Sequence, residues 1–377
     1  MKIKFVSNVR GFFNHLSDLG STEVEFELRK QTYEVSSKTH KLASKVIRSP
    51  FGDFFGIIQS LKNFDNENVV IGSFNRFVKT EKPYFIYVEN PTALYHYSLN
   101  RPHTYFGNRK FNKLLSDSNL KELVFMSKAA MESSEQVWNR KISIPKQVIY
   151  PYVPQNRFAE MRLKNNIKPL KLLFVAQGSR FVSKGASEVL EAAKILEGVA
   201  EFTVITNQKS IPEPLLDKIA QLKNLNLYEF NKSYAEMEKI YAEHDILIYP
   251  TSDDSFALTV LEAIKAGMVV IGSNLYAIPE MVENGKNGFL TNPKWSFFDQ
   301  DNIPNPKVWN NRESTIHSID ADSRIVGFLV DRVLEVNKNR DRLFEMSQFS
   351  LKKANSYPFD RDTIIKQWVN LAEKINN

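Results

Sequence analysis

Between Lys171 and Leu290 short apolar runs alternate with helix-periodic segments without a long interruption, and this alternation constrains the chain more than any other feature. The pattern predicts strands at residues 172–176, 202–206, 227–230, 246–249 and 268–272, separated by helices at residues 186–196, 214–222, 234–243 and 256–266. Within the first of these helices Val189, Leu190, Ala193 and Leu196 share one face, and Gly267 stands where the last helix must stop. Strands joined through helices run parallel, and such sheets bind ligands beyond the carboxyl ends of their strands. The loops after those strands are therefore the first place to look for chemistry.

The chain has 377 residues, which suits two α/β domains better than one core. The first half offers weaker strands at residues 3–6, 69–72, 85–88 and 123–127, with helical stretches at 118–122 and 129–137. Tyr150-Pro151-Tyr152-Val153-Pro154-Gln155 carries two prolines, and the basic stretch 157–171 that follows reads as an interdomain linker. The expected division is residues 1–155, joined by a C-terminal helix at 358–377, and residues 168–355. Residues 291–319 show little periodicity and read as a loop, with helices over 320–355 after it. In the final helix Ile364, Ile365, Trp368 and Leu371 form an apolar stripe behind a cap at Asp360 or Asp362.

The chain contains no cysteine, which excludes disulfides and thiolate metal sites and fits a reducing compartment. Its first residues lack the apolar run of a signal peptide, and no segment has the length of a spanning helix, so the expectation is a cytoplasmic protein. Residues 1–165 hold 25 Lys and Arg against 15 Asp and Glu, a net of +10, whereas residues 166–377 hold 25 against 28, a net of −3. A basic first half attracts anionic partners.

Two loops after strand ends concentrate polar residues. Gln177-Gly178-Ser179-Arg180-Phe181-Val182-Ser183-Lys184-Gly185 combines glycines, which permit close backbone approach, with two cations suited to a diphosphate. It lacks the spacing of a dinucleotide fingerprint or a Walker loop, and an ordinary βα turn also accounts for it. The second loop, residues 250–257, runs into a helix that carries Asp254 before its start and Glu262 two turns inside. Their separation along the axis is on the order of 12 Å, about the reach from a hexose to a ribose across a diphosphate. The amides of Phe256, Ala257 and Leu258 would lie between them as the positive helix end. The alternative is that Asp254 and Ser255 cap the helix while Glu262 sits on a solvated face. Asp253 and Asp254 are adjacent carboxylates without further ligands, a weak metal pattern.

Together with residues 273–290, which contain Pro279-Glu280 and a turn bounded by Gly285 and Gly288, these loops resemble the retaining glycosyltransferases of family four, the glycosyl transferases group 1. That family has the GT-B fold, an α/β architecture of two Rossmann-like domains facing across a cleft, with a C-terminal helix returning to the N-terminal domain. Asp254 and Glu262 match its acidic pair, with Asp where Glu is usual and hence one methylene shorter. The resemblance implies that Glu262 holds the ribose, Asp254 the transferred sugar, and Arg180 and Lys184 the diphosphate. It implies a phosphate cradle of Gly178, Ser255, Phe256, Ala257, Leu258 and Thr259, with Tyr228, Phe230 and Asn231 toward the base. Core packing is the other role open to at least one of those two aromatics.

The first half departs from the family pattern. A single glycine, Gly11, follows the first strand where members often have a pair, and Gly11 is kept as a donor contact. No histidine follows the strand at 83–88; Glu89 stands there as the candidate catalytic group, with Asn90, His96 and His103 as acceptor-side candidates. The expected function is transfer, with retention, from a nucleotide diphosphate sugar to a saccharide or lipid-linked acceptor in cell-surface polysaccharide or glycoconjugate synthesis, with no metal and no cofactor. A nucleotide-sugar epimerase or hydrolase, and a non-catalytic nucleotide-sugar-binding subunit, are the alternatives. Nucleic-acid binding lacks a recognition motif. The basic first half suggests an anionic acceptor or an anionic membrane surface at its inner face, touched through residues 109–128.

Overall fold

The computed structural model describes residues 1–30, 45–47, 49–63, 67–138, 142–160 and 169–376; residues 161–168 of the stretch read as a linker lie outside them. The chain forms two compact units, Met1–Pro154 with Pro358–Asn377, and Gln155–Tyr357. Among the described residues no helix is long and apolar enough to cross a membrane.

The first unit contains β1 (Lys2–Val9), β2 (Glu25–Lys30), β3 (Ser60–Lys62), β4 (Val70–Phe74), β5 (Phe77–Lys79), β6 (Tyr84–Val88), β7 (Leu120–Phe125) and β8 (Lys146–Val148). Six of them form a parallel sheet in the order β2-β1-β4-β6-β7-β8, while β3 and β5 pair separately. β4 and β6 are buried at every residue, as strands covered on both faces must be. Residues 118–122, expected to be helical, form a turn and the start of β7 instead. Asp117 Oδ1 accepts the Asn119 amide at 3.0 Å and the Tyr84 amide donates to the Asn119 carbonyl at 2.8 Å, so the neighbouring strand captures the segment.

The second unit contains β9 (Leu170–Ala176), β10 (Ala200–Thr206), β11 (Leu225–Glu229), β12 (Ile246–Tyr249), β13 (Val269–Ser273) and β14 (Gly288–Thr291). Their order, β11-β10-β9-β12-β13-β14, is the doubly wound Rossmann arrangement, all parallel, and it reverses between β9 and β12. In the first sheet the corresponding reversal falls between β1 and β4. Leu172, Phe174, Val189, Ile248, Ile271 and Val333 belong to one buried cluster of sheet and covering helices. The stretch read as a loop, 291–319, carries the short helix Pro306–Trp309, whose Trp309 indole donates to the Phe297 carbonyl at 2.9 Å.

The last helix, Arg361–Asn376, is part of the first unit. Its Trp368, 1% exposed, lies with its ring centroid 5.3 Å from Phe26, 5.9 Å from Phe85 and 6.2 Å from Phe5, and stacks on Tyr87 at 5.9 Å. Arg361 fastens the start of the helix by donating to the carbonyls of Leu19 at 2.8 Å and Gly20 at 3.0 Å. One aromatic side chain thus joins the chain's end to three strands of its first sheet. Trp368→Ala should destabilise the first unit by about 3–5 kcal/mol, as truncation of a buried aromatic does. Urea unfolding followed by circular dichroism measures this, and an unchanged profile would contradict the packing described.

Candidate functional site in the second unit

The carboxyl ends of β9 and β12 lie on either side of the strand-order reversal, and the two loops singled out in the sequence leave from them. Their close approach depends on Gly185, with φ +88°; a Cβ there would stand 2.4 Å from the Pro250 carbonyl oxygen. No other residue type fits both constraints. The Ser252 amide donates to the Ser183 carbonyl at 2.8 Å, stitching one loop to the other.

Lys184 is buried at this junction. Its Nζ donates to the Asp253 carbonyl at 2.6 Å and to Asp254 Oδ2, and it lies 5.2 Å from the centre of the Tyr249 ring. The Tyr249 hydroxyl donates to the same Oδ2 at 2.6 Å, while Oδ1 accepts the amides of Phe256 at 3.2 Å and Ala257 at 2.7 Å. Burial raises the Asp254 pKa, but Lys184, Tyr249 and the Ala257 amide overcome it and hold the group at about 2. Asp253 moves the other way because burial outweighs the attraction of Lys184 and Arg180, the latter 3.8 Å away and half exposed.

The helix proper is Leu258–Lys265, two residues shorter at its start than expected, because Ala257 precedes it in the left-handed conformation with φ +66°. This corrects the cradle. Phe256 and Ala257 are buried, and Asp254 already takes their amides, so they are not open anion donors. The amides of Leu258 and Thr259 make no hydrogen bond to the described residues and form the open helix end. Ser255 is half-buried beside them, and Gly178, with φ +50°, faces open space in the turn Gly178–Arg180.

Glu262, one turn further along, is half-buried rather than on a solvated face, and its Oε2 accepts the Tyr241 hydroxyl at 2.7 Å. Burial raises its pKa to about 7 despite that bond. Tyr228, Phe230 and Asn231 cluster at the carboxyl end of the edge strand β11; all three are exposed, which excludes the core-packing role considered for the aromatics. Tyr249 and Tyr241, whose hydroxyls donate to the two carboxylates, were not singled out from the sequence. The position of Tyr249 as the last residue of a predicted strand was the only local signal.

In the first unit a second polar cluster occupies the reversal between β1 and β4. Glu89, 3% exposed, accepts Arg10 at 2.7 Å, the Asn75 amide group at 3.1 Å and the Tyr97 hydroxyl at 3.2 Å. Asn75 and Tyr97 both have positive φ, 56° and 62°, a strained backbone for residues with side chains. A cavity of about 420 Å³ beside them is lined by Arg10, Arg29 and Arg76. Gly11 is exposed two residues after β1, at the start of the turn Gly11–Leu19. Asn90 and His96 hold local backbone: Asn90 Oδ1 accepts the Thr92 amide at 3.0 Å and His96 Nε2 accepts the Gln59 amide at 2.9 Å. His103 is exposed on the turn Arg101–His103, outside this cluster.

Residues 158–298, which include both loops of the second unit, match the family model of glycosyl transferases group 1. The crystal structure of HepE from Anabaena in complex with UDP superposes with a TM-score of 0.63 over 99% of this chain and 100% of that one, at 13% identity. The fold is GT-B. Among curated relatives, the UDP-N-acetylglucosamine–peptide N-acetylglucosaminyltransferase GtfA subunit of Streptococcus gordonii is 23% identical over 213 residues, 56% of this chain and 37% of that protein. Sulfoquinovosyl transferase SQD2 of Arabidopsis thaliana is 27% identical over 164 residues, 42% of this chain and 30% of its own length. The chain therefore spans about a third of the length of these relatives.

Glu262 makes a pH test possible. Its folded pKa of about 7 exceeds the ordinary 4.5, so the folded state binds the proton more tightly and stability declines as pH rises from about 4.5 to 7. Glu262→Gln should flatten that part of a thermal-midpoint profile against pH; an unchanged slope would contradict the assignment.

Proposed function

We propose that this chain is a retaining glycosyltransferase that moves a sugar from a nucleotide diphosphate sugar, with UDP as the nucleotide, to an acceptor carrying an anionic group. The observation that carries the reading is the grouping of Arg180, Lys184 and the open helix end at Leu258 and Thr259 around the strand-order reversal of the second sheet. Fixed cations and amides at such a point favour a diphosphate and stabilise the charge that develops on it as it leaves. Glu262 accepts the ribose hydroxyls, with Tyr241 holding its carboxylate in place. Tyr228 and Phe230 offer exposed ring faces to the base. UDP is favoured because it appears in the names of both the HepE complex and the streptococcal relative.

Asp254 is held ionised by Lys184 and Tyr249, with both oxygens engaged. It therefore positions the sugar's hydroxyls rather than attacking its anomeric carbon. In this reading the acceptor hydroxyl attacks the anomeric carbon on the face from which the diphosphate departs, and the departing phosphate takes the hydroxyl's proton. The arginine-lined cavity of the first unit receives the acceptor's anionic group, and the buried Glu89 orients Arg10 for it. Bidentate arginine contacts suit a phosphate or a carboxylate. The acceptor class is a saccharide or lipid-linked saccharide of a cell-surface glycoconjugate.

Turnover of UDP-linked sugars with paired phosphorylated and neutral acceptors tests this. Arg180→Ala alters a half-exposed side chain and leaves the fold intact, and kcat should fall about 10²-fold. Arg76→Ala should raise KM for the phosphorylated acceptor alone. Donor consumption that is equal with and without any acceptor, or wild-type rates in Arg180→Ala, would refute the assignment.

A further inference from the structure

The first unit exposes a cluster of aromatic rings that neither sheet nor site uses. Phe51, Phe54, Phe55, Tyr105 and Phe106 are between 46% and 72% exposed. They are nevertheless in contact: ring centroids lie 4.5 Å apart for Phe51 and Phe55, 5.0 Å for Phe54 and Phe55, 6.0 Å for Phe54 and Phe106, and 5.4 Å for Tyr105 and Phe106. Scattered exposed apolar residues need no explanation, but a contiguous group of large rings marks an interaction surface.

The underlying backbone holds the rings outward. Arg101, fully buried, donates to Asp53 at 2.9 Å, to the carbonyls of Ile57 at 2.8 Å and Tyr95 at 2.9 Å, and to that of Ile47. Thr104 donates to the Asp53 carbonyl at 2.9 Å, and Ser49 caps the short helix Pro50–Phe54. Gly56 and Gly107 touch: a Cβ on Gly56 would lie 2.3 Å from the Gly107 amide nitrogen. On the inner side Phe111 is completely buried against Tyr95, Phe77 and Trp138. The two ring-bearing segments are thus locked to each other through polar bonds and a glycine contact, leaving the phenyl groups outside.

The charge around the rings identifies what covers them. On the helix Tyr105–Leu115, Arg109, Lys110 and Lys113 are exposed and follow Phe106 at the third, fourth and seventh positions, hence along one side of the helix. Lys45 is exposed before the other segment. Asp53 is the sole acidic residue in residues 45–60 and 98–116, and Arg101 neutralises it. A groove of about 560 Å³ lined by His103, Tyr105, Arg109 and Trp138 opens beside the rings, wide enough for a polar headgroup. Aromatic rings at the level of a bilayer's headgroups, with Lys and Arg beside them, are the composition that binds an anionic lipid interface.

We propose that this face docks the protein on an anionic bilayer surface, with Phe51, Phe54, Phe55, Tyr105 and Phe106 entering the interface and Arg109, Lys110 and Lys113 meeting lipid phosphates. The proposal does not rest on the transferase reading, because sedimentation reads the face without turnover. The full chain is sedimented with vesicles of phosphatidylcholine alone and with vesicles of equal parts phosphatidylcholine and phosphatidylglycerol. Wild type should bind the mixed vesicles and much less the neutral ones. F54S together with F106S should lower binding at least about tenfold, and R109Q, K110Q and K113Q together should abolish the preference between vesicles. All five positions are exposed, so thermal midpoints and UDP binding should match wild type. Wild type in the supernatant with both vesicles, undiminished binding by the aromatic variant, or a dimer in light scattering that this variant dissociates would each overturn the proposal.

Discussion

The contact on which the second unit's site depends is the buried ion pair between Lys184 and Asp254. Each residue comes from a different loop, and the loops leave β9 and β12, the strands that flank the reversal of order. Such a pair contributes little net stability, because desolvating both charges offsets their attraction, but removing one partner strands the other and costs about 3–5 kcal/mol. Its effect here is geometric. Asp254 passes the constraint on to Tyr249 and to the amides of Phe256 and Ala257, which fixes where the helix Leu258–Lys265 begins and leaves Leu258 and Thr259 as its open end. The left-handed Ala257, whose strain is of order 1–2 kcal/mol, persists because that network over-determines it.

The same topological device occurs in both units. In each parallel sheet the order of strands reverses once beside the first strand, and the loops that part there gather charged side chains around a buried carboxylate: Lys184 with Asp254 in one, Arg10 with Glu89 in the other. Strained residues accompany both, Ala257 in the second unit and Asn75 and Tyr97 in the first. Strain retained beside charged groups is what pre-organised binding sites display, since relaxing it would move the groups that meet the ligand. The two carboxylates of the second unit also diverge in acidity, Asp254 at about 2 and Glu262 at about 7. Burial pushes both up; around Asp254 a buried cation and several donors overcome it, whereas the single phenol on Glu262 does not.

How much of this was legible in the sequence follows from the range of the interactions involved. Strands 246–249 and their neighbours were readable because a buried parallel strand is apolar at every position, and the pairs Arg180 with Lys184 and Asp254 with Glu262 because each falls within one short segment. Residues 118–122 misled because their polar, turn-forming composition says nothing of the Tyr84 backbone that draws them into β7. Tyr241 reaches Glu262 across 21 positions, and Phe54 meets Phe106 across a still longer interval, so no periodicity reports either. The helix start at Leu258 rather than Phe256 was hidden for a related reason: a side-chain cap from Asp254 competes with the first helical turn, and the sequence permits both outcomes.

A crystal structure of the protein soaked with UDP shows whether the junction of the β9 and β12 loops holds a nucleoside diphosphate. Diphosphate oxygens should lie within hydrogen-bond distance of Arg180, Lys184 and the amides of Leu258 and Thr259, with the ribose hydroxyls on Glu262. UDP bound elsewhere on the chain, or a junction left empty at saturating UDP, would contradict it.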